Sequence, residues 1–169
     1  MEYRIVPVTE ELIPGYRMAF DKVAKESRFL DYLEAPPTPE AVGEFVLSIH
    51  NNNLQFVAID DQKVVGWCAI TPKAKAIYSH AGVLGMGIIE GYRGRGIGTA
   101  LIQTTLDAAR LRGFKRIELQ VRENSLSAMA LFEKVGFVKE GVMRKHAFVD
   151  GVYENSLLMA LLFEPTCPL

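Results

Sequence analysis

An excess of charge of either sign is missing from this chain: 19 Lys and Arg stand against 20 Asp and Glu, leaving a net charge of −1. That excludes the basic stripe a nucleic-acid footprint needs, so no such partner is expected. Cysteine is scarce: the only two, Cys68 and Cys167, form no metal or redox spacing, and no metal is expected. A disulfide between them would need an oxidising compartment. The opening "MEYRIVPVTE" runs straight into a strand pattern and carries no secretory signature. Long hydrophobic runs are absent too; none approaches the roughly 20 residues needed to cross a bilayer. A cytoplasmic setting, away from membranes, is the expectation.

What remains is an ordinary globular composition, with 49% apolar and 23% charged residues over 169 positions, enough for a single domain spanning 1–169. Residues 3–8 alternate as a short strand. Thr9 offers a helix cap before Ile13, Tyr16, Phe20 and Val23, which recur at helical spacing. Pro36 and Pro37 mark a loop, and Thr38 with Pro39 opens a second helix that "NNN" at 51–53 ends. "LQFVAID" and "KVVGWCAIT" form a hairpin about Asp61 and Gln62, and a long strand follows over 80–90. A helix then reaches about Arg112 and stops at Gly113. "RIELQV" alternates as a strand, Ala128, Leu131, Phe132 and Val135 mark a last helix ended by Gly136, and two closing strands turn at Asp150 and Gly151. The order β-α-α-β-β-β-α-β-α-β-β predicts a mixed sheet covered by helices.

The densest signal is "YRGRGIGTAL", residues 92–101. Glycine at the mouth of a helix costs about 1 kcal/mol relative to alanine, so a cluster there needs a compensating use. Between a strand and a helix N-terminus it presents backbone N–H groups and the positive end of a helix dipole, an anion site suited to phosphate. A P-loop would need Lys after its last glycine, but Gly98 is followed by Thr99 and Ala100. A dinucleotide fingerprint would need G-x-G-x-x-G, but Gly94, Gly96 and Gly98 are evenly spaced, which leaves a dinucleotide oxidoreductase a remote alternative.

Arg93 to Gly98, "RGRGIG", instead resembles the R/Q-x-x-G-x-G/A signature of the GNAT superfamily of acyl-CoA N-acyltransferases. Residues 123–137, "ENSLSAMALFEKVGF", resemble the family's N-x-x-A-x-x-L-Y-x-x-x-G-F segment. "DGVYENSLLMAL" is similar to bacterial members acting on small amines, amino acids or protein N-termini, and the resemblance covers nearly the whole chain. It implies an α/β (α+β) fold with a mixed, mostly antiparallel sheet, splayed between strands four and five and flanked by helices. It also implies N-acetyl transfer from acetyl-CoA to a primary amine by direct attack on the thioester, and a possible homodimer.

Residue by residue, the resemblance places the coenzyme A pyrophosphate on Arg93, Gly94, Arg95, Gly96, Ile97, Gly98 and Thr99, and the pantetheine arm along Met86 and Ile88. Asn124 and Phe132 fall beside the thiol end. Two positions depart from the pattern. Phe132 replaces the tyrosine that often protonates the leaving thiolate, which motivates the alternative of a non-catalytic acyl-CoA-binding or sensing domain. Ser125 takes the family's asparagine position with Asn124 one place earlier, and either could cap the helix. His80, at the head of strand four and in phase with Leu84 and Met86, is the expected proton acceptor. Tyr32 and Glu34, in the loop that roofs the acceptor site in this family, and His146 are the expected substrate contacts.

Overall fold

The computed structural model describes residues 3–31 and 54–164 throughout, and between them only 34, 35, 38, 40, 41, 43 and 44. Most of the expected second helix, Tyr32 and Cys167 therefore lie outside the described residues. Strand β1 (Arg4–Pro7) leads through a 3-10 turn (Glu10–Leu12) into helix α1 (Ile13–Ala24). Thr9 caps that turn through its backbone, its carbonyl accepting from Leu12 N–H at 3.0 Å, while its side chain makes no cap bond. Strands β2 (Gln55–Asp60), β3 (Lys63–Pro72) and β4 (Ala81–Ile88) follow, then helix α2 (Ile97–Leu111), strand β5 (Arg116–Arg122), helix α3 (Leu126–Lys134) and strands β6 (Val138–Val149) and β7 (Val152–Leu162).

The seven strands form one sheet in the order β1-β2-β3-β4-β5-β7-β6. Among the described residues every pairing is antiparallel except β4 with β5, in keeping with the mostly antiparallel sheet splayed at strands four and five that the family resemblance implies. Asp150 and Gly151 both have positive φ, 51° and 78°, the two-residue hairpin geometry whose twist matches that of the flanking strands.

Helices cover the two faces of the sheet differently. On one, Trp67 of β3 is met by the rings of Tyr16 and Phe20 from α1 at 5.5 and 5.3 Å. On the other, α2 buries Ile97, Leu101, Ile102 and Ala109, and Leu101 lies against Gly66 of β3. Each such large aliphatic side chain removed from water stabilises the fold by about 1.5–3 kcal/mol.

The parallel pair is short. Residues 81–83 pair with 116–118, yet β4 continues to Ile88 and β5 to Arg122. Past that point β4 stays with β3 and β5 with β7, and no ladder joins β4 to β5 among the described residues. The sheet thus opens into a V toward the ends of both strands.

Candidate active site

The register of β4 decides which of its backbone groups face the V. Lys73 N–H donates to Ala81 O at 3.1 Å and Ile89 N–H to Val65 O at 3.0 Å, at the two ends of one unbroken antiparallel register. Hydrogen bonds to β3 therefore fall on odd-numbered residues. The even residues turn the other way: His80 O accepts from Lys115 N–H at 2.8 Å, toward β5. Leu84, Met86 and Ile88 accordingly aim their N–H and C=O groups into the opening.

At the top of the V the chain enters the glycine loop. Gly94 and Gly96 have φ of 72° and 82°, a left-handed backbone that costs other residues about 1–2 kcal/mol. Gly96 is the N-cap of α2, and the first intrahelical bond there is Ala100 N–H to Gly96 O at 3.1 Å. The N–H groups of Ile97, Gly98 and Thr99 thus lie ahead of the helical ladder, at its electropositive end. A Cβ built on Gly98 would stand 3.0 Å from Leu131 Cδ2, 3.2 Å from Ile88 Cδ1 and 3.6 Å from Met86 Cε. The loop, the end of β4 and α3 therefore converge at Gly98, bringing Met86, Ile88 and residues 94–99 into one place.

Arg93, expected to add charge at a pyrophosphate, is held by partners within the chain. Its guanidinium donates to both carboxylate oxygens of Glu26, at 2.7 and 2.6 Å, and its Nε to Ile88 O at 2.8 Å. It also lies over the ring of Phe29, 4.5 Å from the centroid. These contacts engage the fork on three sides. Arg95 lies over Tyr92 at 5.3 Å.

Beyond the end of β5 lies a cavity of about 760 Å³, lined among others by Glu26, Phe29, Asn124, Ser127, Asp150 and Glu154. One wall is the segment after α1, held by carbonyls: Arg122 donates to Ser27 O and, at 2.9 Å, to Leu30 O, and Ser125 Oγ lies 3.4 Å from Arg28 O. The opposite wall is the β6–β7 hairpin, where Glu154 accepts from Asn124 Nδ2 at 3.1 Å and from Arg122 at 3.5 Å.

Other expected site residues fall elsewhere. His80 is exposed in the turn before β4, at the closed end of the V. At 3.3 Å per residue, six residues place it about 20 Å from Met86. Ser125, not Asn124, holds the N-cap position of α3, and the Asn124 side chain is turned to the cavity. Phe132 is 6% exposed and packs edge-on against Phe137 at 5.9 Å, a core aromatic. His146 Nδ1 lies 3.0 Å from Ser156 Oγ, and neither His146 nor the exposed Glu34 lines the cavity. Glu26, Arg122 and Glu154 were not foreseen, because their partners lie 67, 95 and 30 residues away in the chain.

Among the described residues, no group of three or more His, Cys, Asp or Glu could hold a metal ion. Cys68 is buried beneath α2, and burial pushes its thiol up to about 12, against a hydrogen bond with Thr105 that lowers it.

The profile of the acetyltransferase (GNAT) family matches residues 16–137. An N-alpha-acetyltransferase of Sulfurisphaera tokodaii is 34% identical over 116 residues, 62% of this chain and 66% of that protein. The L-amino acid N-acetyltransferase AaaT of Escherichia coli is 27% identical over 139 residues, 81% of this chain and 85% of that protein. The chain spans less than two thirds of the first of these relatives, and 59% and 57% of two others. The crystal structure of a GNAT superfamily phosphinothricin acetyltransferase from Sinorhizobium meliloti in complex with AcCoA matches the fold with a TM-score of 0.86 at 20% identity, over 100% of this chain and 93% of that one. With the family profile spanning well over half of its length and the splayed β4–β5 pair in place, this chain belongs to the acetyltransferase (GNAT) family.

Proposed function

We propose that this protein is an acetyl-CoA-dependent N-acetyltransferase acting on a primary amine: a small amine, an amino acid or a peptide N-terminus. The observation that carries the reading is the V itself, with the N–H and C=O of Met86 aimed into it and the amides of residues 97–99 at its mouth. Bound there, acetyl-CoA supplies an activated thioester. The amides of 94–99 would hold its pyrophosphate and the even-residue edge of β4 its pantetheine arm. Met86 N–H is placed to donate to the thioester oxygen as negative charge gathers on it during attack. The names of the relatives support an amine acceptor, since they include amino-acid and N-alpha-acetyltransferases.

The acceptor enters from the cavity, where Glu154 offers a carboxylate to the incoming ammonium. Its nitrogen, once neutral, attacks the carbonyl carbon, the carbon–sulfur bond breaks, and the surplus proton leaves through water in the cavity. Transfer is direct. Cys68, the cysteine among the described residues, is a buried thiol with its pKa pushed up to about 12, which makes it a poor nucleophile for a two-step route.

A second reading, a non-catalytic acyl-CoA-binding or sensing domain, is favoured by Phe132, because a buried phenyl ring cannot return a proton to the thiolate. A thiol of ordinary pKa, about 8.5, is a tolerable leaving group without that help. The test is calorimetry with acetyl-CoA followed by thiol release over a panel of amines, amino acids and N-terminal peptides. Binding with acceptor-dependent thiol release supports the enzyme. Binding without release across the panel favours the sensing domain, and no binding at millimolar acetyl-CoA overturns both.

A further inference from the structure

The Arg93–Glu26 pair joins two regions that the fold otherwise keeps apart. Arg93 belongs to the glycine loop, three residues before the N-cap of α2. Glu26 lies two residues beyond α1 and, with Phe29, lines the cavity. The guanidinium meets the Glu26 carboxylate with two bonds, caps the last V-facing carbonyl of β4 at Ile88 and covers the Phe29 ring. A planar fork used on three sides at once fixes distance and orientation together, which a lysine cannot do. The same wall is held from the far side of the V by Arg122, at the end of β5, and by Ser125, at the N-cap of α3. The cavity wall is therefore slung between the elements that border the V.

We infer that Arg93 and Glu26 are positioning residues that transmit occupancy of the acetyl-CoA loop to the acceptor cavity. This inference rests on the acetyl-CoA reading above. The loop backbone around Arg93 rests on left-handed glycines, and an anion seated on the amides of 94–99 fixes it. Through the fork, fixing the loop also fixes Glu26 and the 26–30 wall. Filling the loop thereby changes the affinity of the cavity for its occupant. Coupling between sites of this kind typically changes affinity about 5–150-fold, reciprocally.

The test is hydrogen exchange by mass spectrometry on the full chain with and without acetyl-CoA, following the segment 25–31 in the wild type, Glu26→Gln and Arg93→Gln. Calorimetry on the same samples reads acetyl-CoA affinity, and exchange in β3 reports that each variant is folded. In the wild type, acetyl-CoA should slow exchange across 25–31 by about fivefold or more. In both variants that slowing should vanish, with acetyl-CoA affinity within about threefold of the wild type, less than half the factor of ten that 1.4 kcal/mol represents. Three results would overturn the inference: slowing that persists in Glu26→Gln, no slowing in the wild type although calorimetry registers binding, or tenfold weaker acetyl-CoA binding in Arg93→Gln but not in Glu26→Gln. The last would make Arg93 a direct phosphate ligand. Absence of calorimetric binding to the wild type would instead remove the acetyl-CoA reading, and this inference with it.

Discussion

Gly98 packs so closely on Leu131 that a Cβ added to the glycine would lie 3.0 Å from Leu131 Cδ2. The contact joins the first turn of α2 to α3 at the mouth of the V. Because the obstructing atoms are the ends of flexible side chains, one methyl should be accommodated by shifts of a few tenths of an ångström. It would also bring up to about 1 kcal/mol of helix propensity. Gly98→Ala should therefore keep both melting temperature and acetyl-CoA affinity near wild type. Gly98→Val forces Leu131 and Ile88 into the opening and should weaken acetyl-CoA binding about tenfold or more, roughly 1.4 kcal/mol by calorimetry. Wild-type binding by the valine variant would show that the arm does not pass Gly98.

Gly96 tests the backbone alone. Its φ is 82°, yet a Cβ there would meet nothing within 4 Å. Alanine at this position should cost only the left-handed strain, about 1–2 kcal/mol. For a chain of this size that is a fall in melting temperature of about 2–8 °C. Asparagine, which tolerates this region, should fall between alanine and glycine. Equal melting temperatures for all three would mean that the turn relaxes into another conformation.

The features legible in the sequence were those written in neighbouring residues. Asp150 and Gly151 at a hairpin, Gly113 and Gly136 at helix ends, and the alternation of β5 each need only a few positions. The glycine loop was legible for the same reason. The cavity was not, since Arg93 reaches Glu26 and Arg122 reaches Ser27 across most of the chain. His80 shows the limit most clearly. Its phase with Leu84 and Met86 is visible in the sequence, but which end of β4 is zipped to β5 depends on a pairing the sequence does not display.

Cys68 should be chemically silent in the native protein. Burial pushes its thiol up to about 12, far above a working pH of about 8, so the reactive thiolate is scarce. Iodoacetamide at that pH, followed by peptide mapping, should leave Cys68 unmodified until denaturant is added. Cys68→Ala should retain sequential initial-rate kinetics. Native alkylation of Cys68 would contradict its silence, and an acetyl group trapped on it would contradict direct transfer.

Glu118 makes stability depend on pH. Partial burial pushes its carboxyl up, but hydrogen bonds from Lys73 and Arg116 outweigh this and hold it below the ordinary carboxylate value. Because the folded value is the lower one, the contribution is fully present above the unfolded pKa near 4.3. It is lost as pH falls through the folded value. Melting temperature should therefore drop on acidification below about pH 5. The gap between wild type and Glu118→Gln should be widest near neutrality and close as pH falls through the lowered folded value. A gap that stays constant across that range would mean that the pair contributes shape rather than charge.

The acceptor side can be tested by opposing two residues. Glu154 faces the cavity, braced by Asn124 and Arg122, whereas His80 stands at the closed end of the V, about 20 Å from Met86 by strand rise. A hydrogen bond to a charged group contributes about 1.5–3 kcal/mol, so removing the Glu154 charge should weaken capture of an ammonium at least about tenfold. Glu154→Gln should raise KM for the best amine of the thiol-release panel by that factor. Acetyl-CoA affinity should stay unchanged, because the carboxylate lies outside the V. His80→Ala should leave kcat/KM for the same amine within about twofold, the change expected of an exposed residue remote from the chemistry. If instead His80→Ala lowers kcat/KM tenfold and alters the low-pH limb of its profile, the histidine serves the reaction by a route the present geometry does not contain. If Glu154→Gln leaves KM unmoved, the amine does not enter through this cavity.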